Sequence, residues 1–374
     1  MSDYESDAER EQESLSNSDV VTKYKAAAKI VNDALAQVVA EAKAGAKVAD
    51  LCALGDRLIT EGAAPVFKGK AIEKGIAVPT CVSVNNCVGH CSPPADSKLA
   101  LADGDLVKID LGAHIDGFIA QAAHSVVVGA AAATGARATR AAYEAACRLV
   151  RAGRSSAEVG PVLTRIVEAY DCHLVEGVVS HEMKRFIIDG ARAVLPRPAA
   201  DQRAEQFETE VGDVFAIDVA VSTGEGKARV LDEKETTVFK RALDVQYQLR
   251  IKASREVFRE VNRRFPTMLF SSRGLETAHA RYGLVECVAH GLLQPYPVLY
   301  ERPGALVAQF KGTVLLVPAG VDRITGLPLP EAQTDKKVED PEIQKLLAEP
   351  LKTNKKKKKS KKTAAAPDAV PMEQ

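Results

Sequence analysis

Two aspartates carry the strongest chemical signal in the chain. Asp110 and Asp218 hold the same place in a recurring unit, GDLVKIDLG at 104–112 and GDVFAIDVA at 212–220, which agree at four of nine positions. Carboxylates on facing strands hold divalent cations, because hard ions need oxygen ligands and compensation of their charge. In isolated strands the same residues would serve to hydrogen-bond strand ends. A second cluster, Cys81, Cys87, His90 and Cys91, contains zinc-ligand types, but its spacing lacks the paired Cys-x-x-Cys pattern of a structural site. His114 and His124 read as ordinary strand residues. No phosphate-cradling glycine loop or nucleophile elbow occurs.

Two basic groups point to phosphate rather than to catalysis. The first is the tail KTNKKKKKSKK, whose Lys352, Lys355, Lys356, Lys357, Lys358, Lys359, Lys361 and Lys362 form a run without an acid. Eight such contacts to nucleic acid would weaken binding about 10⁴-fold between 50 and 200 mM salt; an import signal or a solubilising tail has the same composition. The second is SREVFREVNRRF at 254–265. There Val257, Val261 and Phe265 share one helical face while Arg255, Arg259 and Arg263 recur every fourth residue on another. Arginine forks suit phosphate oxygens, although Glu256 and Glu260 stand three residues before Arg259 and Arg263 and are placed to pair with them.

Elements must position these groups. VVTKYKAAAKIVNDALAQVVAEAKAG reads as an amphipathic helix with Val31, Leu35, Val38 and Val39 at helical spacing and Gly45 as its stop, followed by a second helix over Ala49–Glu61. TCVSVNN is strand-like, and the alternation on either side of Gly112–Gly117 predicts two long paired strands. Helices are expected at 137–152 and 156–170, a strand block at 212–226, a polar basic region to about 290, and a strand pair within ALVAQFKGTVLLVP at 305–318. PEIQKLLAEP is a short helix. The recurrence of the Asp-bearing strand predicts two similar α+β halves, with Asp110 and Asp218 meeting across a pseudo-twofold axis.

Composition bounds the class. With 374 residues, 46% hydrophobic and 27% charged, the chain has material for a large core and is not disordered as a whole. Its formal charge of zero hides unlike parts: seven acids against one arginine in residues 1–19, and the cationic tail. Residues 1–18 read as a disordered acidic leader, 19–330 as the folded domain with a helical, basic insertion about 240–292, and 331–374 as an extension. No apolar stretch is long enough for a bilayer, so membrane insertion is not expected. Seven irregularly spaced cysteines read as reduced thiols of the cytosol or nucleus.

KIDLGAHIDGFIAQ, NNCVGHCSPP, AIDVAVSTGEGKA and VAQFKGTVLL occur in the order found in type II methionine aminopeptidases, and the resemblance spans about 20–330. It implies the pita-bread fold, two halves around a cleft. In that family a dinuclear metal site uses two Asp, one His and two Glu. Asp110 matches the first Asp and Gln121 stands at the second. Asp218 replaces a Glu, and Lys311 stands at the final Glu. Ser180 or His181 falls at the ligand His, depending on a one-residue shift, and His90 matches the substrate-binding His. An ammonium about 4 Å from a dication is repelled by roughly 8 kcal/mol at an effective dielectric of 20. Lys311 is therefore expected to replace the metal between Asp110 and Asp218, leaving no catalytic residue, metal or cofactor.

VVTKYK, SVNNCVGH, DLVKIDLGAHIDGFIA, STGEGKA, ECVAHGLLQPYPVLYE and the Lys-rich tail together resemble the proliferation-associated, or ErbB-receptor-binding, protein family. The resemblance implies a pita-bread protein without peptidase activity. It further implies binding to ribosomal RNA and the large ribosomal subunit near the exit tunnel, and residence in cytoplasm, nucleus and nucleolus. Nascent chain, receptor or transcription partners also follow from it. IQKLL at 343–347 departs from the family's coactivator-type helix, which has Leu first. The competing readings are a metal-dependent methionine aminopeptidase with a reorganised site and a transcriptional or signalling adaptor.

Overall fold

The computed structural model describes residues 13–129, 134–199, 202–203, 205–277, 280–329 and 335–352. Its first half runs α1 (Ser18–Glu41), α2 (Val48–Ala63), β1 (Lys74–Val84), β2 (Cys87–Gly89), β3 (Leu106–Ile115) and β4 (Phe118–Val127). The second begins with α3 (Thr134–Leu149) and α4 (Val159–Glu168), followed by β5 (His173–Leu174), β6 (Ser180–Glu182), β7 (Ala193–Val194), β8 (Val214–Ser222) and β9 (Arg229–Val230). Then come β10 (Val238–Arg241), α5 (Lys252–Arg264), β11 (Phe270–Ser271), α6 (Ala280–Ala289), β12 (Leu293–Tyr296) and β13 (Leu299–Tyr300). The long β14 (Val307–Val317), β15 (Gly320–Arg323) and α7 (Pro341–Ala348) close the described chain.

One nine-stranded sheet organises the molecule in the order β1-β3-β4-β14-β8-β6-β7, with β15 on β14 and β5 on β8. Its helix-facing side is apolar in both halves. Val107, Ile109, Leu111 and Ala113 of β3 pack with α1 and α2, while Phe215, Ile217, Val219 and Val221 of β8 pack with α3 and α4. Burying each of the larger of these side chains stabilises the fold by about 1.5–3 kcal/mol. The halves join at the β4–β14 seam, where Lys311 stands opposite Ala123. This is the expected α+β, pita-bread arrangement, with the two Asp-bearing strands flanking the seam.

The turn between β3 and β4 is tighter than the Gly112–Gly117 break suggests. Gly112 lies within β3, opposite Gln121, and only Asp116 and Gly117 turn the chain, at φ of 55° and 78°. Two successive positive φ values are the geometry an Asp-Gly hairpin supplies. The stretch 305–318 holds one strand rather than a pair: β14 runs through Gly312 and pairs β8 from Val307 to Leu315. Glycine there is required by packing, since a Cβ would overlap the Tyr143 hydroxyl.

The basic region has its own small core. β10, β11 and β12 form a three-stranded sheet against which α5 and α6 bury Val257, Val261, Leu284 and Cys287. At the other end, Glu13 pairs with Arg185 at 3.0 Å and Leu15 packs against the body, so residues 13–17 lie on the domain although they fall within the expected leader. Residues 1–12 of that leader lie outside the described residues.

Candidate functional site

Sheet register assembles the site. Asp110 on β3 is opposite Ala123, Ala123 is opposite Lys311 on β14, and Lys311 is opposite Asp218 on β8. The three charged groups therefore occupy one row across the sheet on the face away from the helices. Lys311 Nζ lies 2.6 Å from Asp110 Oδ2 and 3.1 Å from Asp218 Oδ2. Gln309, two residues before Lys311 and on the same face, donates from Nε2 to both oxygens of Asp218 at 2.8 and 3.0 Å. Alternation along VAQFKG is the signal that would have found it.

Electrostatics lock this arrangement. Burial pulls the lysine toward neutrality, but the charges of Asp110 and Asp218 outweigh it and hold the ammonium well above the ordinary lysine range. Burial pushes Asp110 up, and the Lys311 charge opposes it. Gln121, two pairs further along the β3–β4 ladder and so on the same face, donates from Nε2 to the Met183 sulfur at 3.2 Å.

Above the row lies a cavity of about 270 Å³, lined among others by Cys81, His90, Gln121, His181, Asp189 and Tyr296. His90 has φ of 65°; its Nδ1–H donates to the Pro297 carbonyl at 3.0 Å, so Nε2 is the acceptor of the neutral ring. Burial lowers the pKa of both His90 and His181. Of the two residues competing for the ligand position, His181 lines the cavity. Ser180 instead bonds the backbone of Asp218, accepting from its N–H at 2.9 Å and donating to its carbonyl at 3.2 Å. Asp189 is paired with Lys240 at the rim. His114 and His124 are buried in β3 and β4, each pushed down to about 4 by burial.

The basic candidates lie elsewhere. Arg255, Arg259 and Arg263 are exposed on α5, and among the described residues none forms an ion pair with a carboxylate. The expected partners are turned away: Glu256 pairs with Lys252 at 3.8 Å, and Glu260 is buried, bound to Arg264 at 2.5 Å and accepting from the backbone of Glu276 and Thr277. Arg255 donates to the carbonyls of Leu249 and Arg250. Lys352 pairs with Asp322 at 2.6 Å, which ties the start of the tail to β15. Lys355, Lys356, Lys357, Lys358, Lys359, Lys361 and Lys362 lie outside the described residues. Among the described residues no three His, Cys, Asp or Glu side chains are placed to hold a metal, and no helix is long and apolar enough to cross a membrane.

Comparison with known proteins agrees with this architecture. The sequence profile of metallopeptidase family M24 matches residues 22–238. ERBB-3 binding protein 1 of Solanum tuberosum is 49% identical over 98% of this chain and 97% of its own, and proliferation-associated protein A of Dictyostelium discoideum is 42% identical over 96% of each. The solved structure of a thermophilic Arx1 superposes with a TM-score of 0.84 at 31% identity, covering 90% of this chain and all of that one. The chain belongs to metallopeptidase family M24, and within it to the ErbB-receptor-binding, proliferation-associated proteins.

The family name implies metal ions, and the residues here do not fit them. One oxygen of each aspartate flanking the β4–β14 seam already faces the Lys311 ammonium, both oxygens of Asp218 accept from Gln309, and Gln121 brings a neutral amide to the cavity. Two aspartates against one ammonium supply one net negative charge, where two divalent ions would bring four positive ones.

Proposed function

We propose that this chain is a non-enzymatic RNA- and ribosome-associated factor that keeps an aminopeptidase-like architecture without the metal chemistry. It binds ribosomal RNA on the large subunit near the exit tunnel, in ribosome biogenesis or translational control, and works in cytoplasm, nucleus and nucleolus. The supporting observation for the loss of peptidase chemistry is the Lys311 ammonium between Asp110 and Asp218. Gln121 and Lys311 then stand for lost metal ligands and His90 for a retained binding residue. The supporting observation for RNA contact is the exposed row Arg255, Arg259 and Arg263, free of carboxylate partners among the described residues. The lysines 352–362 add contacts that carry no sequence preference.

Co-sedimentation with ribosomes at two salt concentrations, combined with crosslinking, tests this reading. The R255E/R259E/R263E variant should lose crosslinks to ribosomal RNA, and truncation after Pro350 should reduce the salt sensitivity of association. Unchanged crosslinks in the triple variant would remove α5 from the interface. Bound divalent metal together with turnover of a methionyl peptide would establish instead a peptidase with a reorganised site.

A further inference from the structure

Helix α6 is apolar on two sides. Ala280, Gly283, Leu284, Cys287 and Val288, at helical spacing, form the side that meets α5 and the small core of the basic region. Gly283 lets the two helices touch, since a Cβ there would lie 2.6 Å from Val257 Cγ2. The opposite side repeats the same spacing with Tyr282, Val285, Glu286 and Ala289, where Tyr282 is 73% and Val285 69% exposed. A helix that is apolar all round is ordinarily covered all round.

The one charged member of this outer stripe is already engaged. The Glu286 carboxylate accepts from the backbone N–H groups of Arg250 at 2.9 Å and Ile251 at 3.2 Å. That contact sets Ile251, 53% exposed, beside the stripe, and one turn further along the Tyr247 ring stacks on His290 with centroids 3.6 Å apart. Of the ten large apolar side chains exposed among the described residues, five belong to this region: Leu243, Tyr247, Ile251, Tyr282 and Val285. Single exposed apolar residues need no explanation, but a contiguous set marks a contact surface. Charge around the set is cationic. Arg250, Lys252 and Arg281 are exposed at its border, with Lys252 3.8 Å from Glu256, and Asp244 is the one acid in the loop 242–251.

We propose that the outer stripe of α6 docks an amphipathic helix of another protein, one whose apolar face is bordered by carboxylates. That helix lays its apolar face on Tyr282, Val285 and Ile251 and turns its carboxylates toward Arg250, Lys252 and Arg281. From Tyr282 to Ala289 the stripe runs about 11 Å, which matches two turns of a partner helix. So small a contact gives an exchangeable complex with a Kd of roughly micromolar order. The stripe belongs to a different helix from the arginine row of α5, and docking on it does not depend on RNA.

The test uses full-length protein and a synthetic helical peptide of roughly 18 residues, with leucines at helical spacing along one face and glutamates flanking them. The peptide should bind, and should crosslink to protein carrying Tyr282→p-benzoylphenylalanine. I251D/V285D and, separately, Y282S should melt like the parent, because the side chains changed are exposed, yet I251D/V285D should weaken binding on the order of tenfold. A peptide with lysines in place of the glutamates should bind on the order of tenfold more weakly, and salt raised from about 50 to about 500 mM should weaken the acidic peptide several-fold. I251D/V285D should keep the ribosomal RNA crosslinks made through α5, so failure here and failure of the RNA reading are seen separately. Absence of binding by the acidic peptide would overturn the proposal, as would equal binding of the lysine peptide. Crosslinking of position 282 to ribosomal RNA in ribosome pellets, with no protein crosslinked there, would assign the stripe to RNA instead.

Discussion

The cleft row and the outer face of α5 both consist of charged side chains singled out by type and spacing, and they resolve in opposite ways. In the cleft, Asp110, Asp218 and Lys311 come from three strands and pair with one another; Gln309 donates to both oxygens of Asp218, while Asp110 Oδ1 is buried without a hydrogen-bond partner. On α5 the carboxylates turn inward or pair with Lys252 and Arg264, and three arginines face solvent. A buried charge must find its partner within the fold, because leaving it unpaired costs several kcal/mol. A surface charge is under no such demand, so it remains available to a partner molecule.

That contrast predicts very unequal responses to substitution. Removing the cleft cation by K311M should cost about 3–5 kcal/mol in urea unfolding, because two buried aspartates lose their counter-ion. Replacing the charged row as a whole, by D110L/D218L/K311M, should recover most of that loss; a triple variant no more stable than K311M would break the counter-ion account.

Lys108 of β3, buried and donating to the carbonyls of Asn85 and Val307 at 2.8 Å each, supplies the opposite sign. Burial pushes it down to about 7 from an ordinary 10.5. Between those values the unfolded chain binds the proton and the folded one does not, so stability rises with pH there. Below about 7 both forms are charged and the full penalty is present. K108M should remove that rise, its advantage over the parent shrinking as the pH climbs from 7 to 10. Lys311, whose folded-state pKa is raised, contributes stability fully present below the unfolded lysine value of 10.5 and lost as pH rises above it. The K311M deficit should therefore be constant through the neutral range. A deficit that fades below pH 9 would contradict the ion-pair assignment.

G312A should cost about 1–3 kcal/mol by overpacking against Tyr143, and Y143F, which vacates the hydroxyl's place, should relieve part of it. Smallest is the effect on α5. R255E/R259E/R263E should change stability by no more than about 0.5 kcal/mol, while the slope of log affinity for RNA against log salt falls by roughly 0.9 for each phosphate no longer neutralised. A large stability loss there would mean that the arginines are structural, and the contrast with the cleft would collapse.

Much of this was legible in the chain. Alternation and helical spacing marked the strands around Asp110 and Asp218 and the helices behind them, since those periods reflect which face is buried. The recurrence of GDLVKIDLG as GDVFAIDVA pointed to paired halves. The errors have local causes. Gly112 and Gly312 look like breaks, but a glycine that admits a close neighbour is indistinguishable in sequence from one that turns the chain. Glu256 and Glu260 looked like partners for Arg259 and Arg263, yet Glu260 is drawn inward to bond the backbone of Glu276 and Thr277.

The amino-acid order by itself determined which side chains are present and which face of each strand they occupy: the two aspartates, a lysine two residues after Gln309 on the same face, and arginines every fourth residue. Only the tertiary structure decided who meets whom. Register across β3, β4, β14 and β8 set Asp110, Lys311 and Asp218 in one row, and the pairing of β6 with β8 gave His181 rather than Ser180 to the cavity. Those partners are separated by up to about two hundred residues of chain, and a meeting at that distance is fixed by sheet pairing rather than by any local preference.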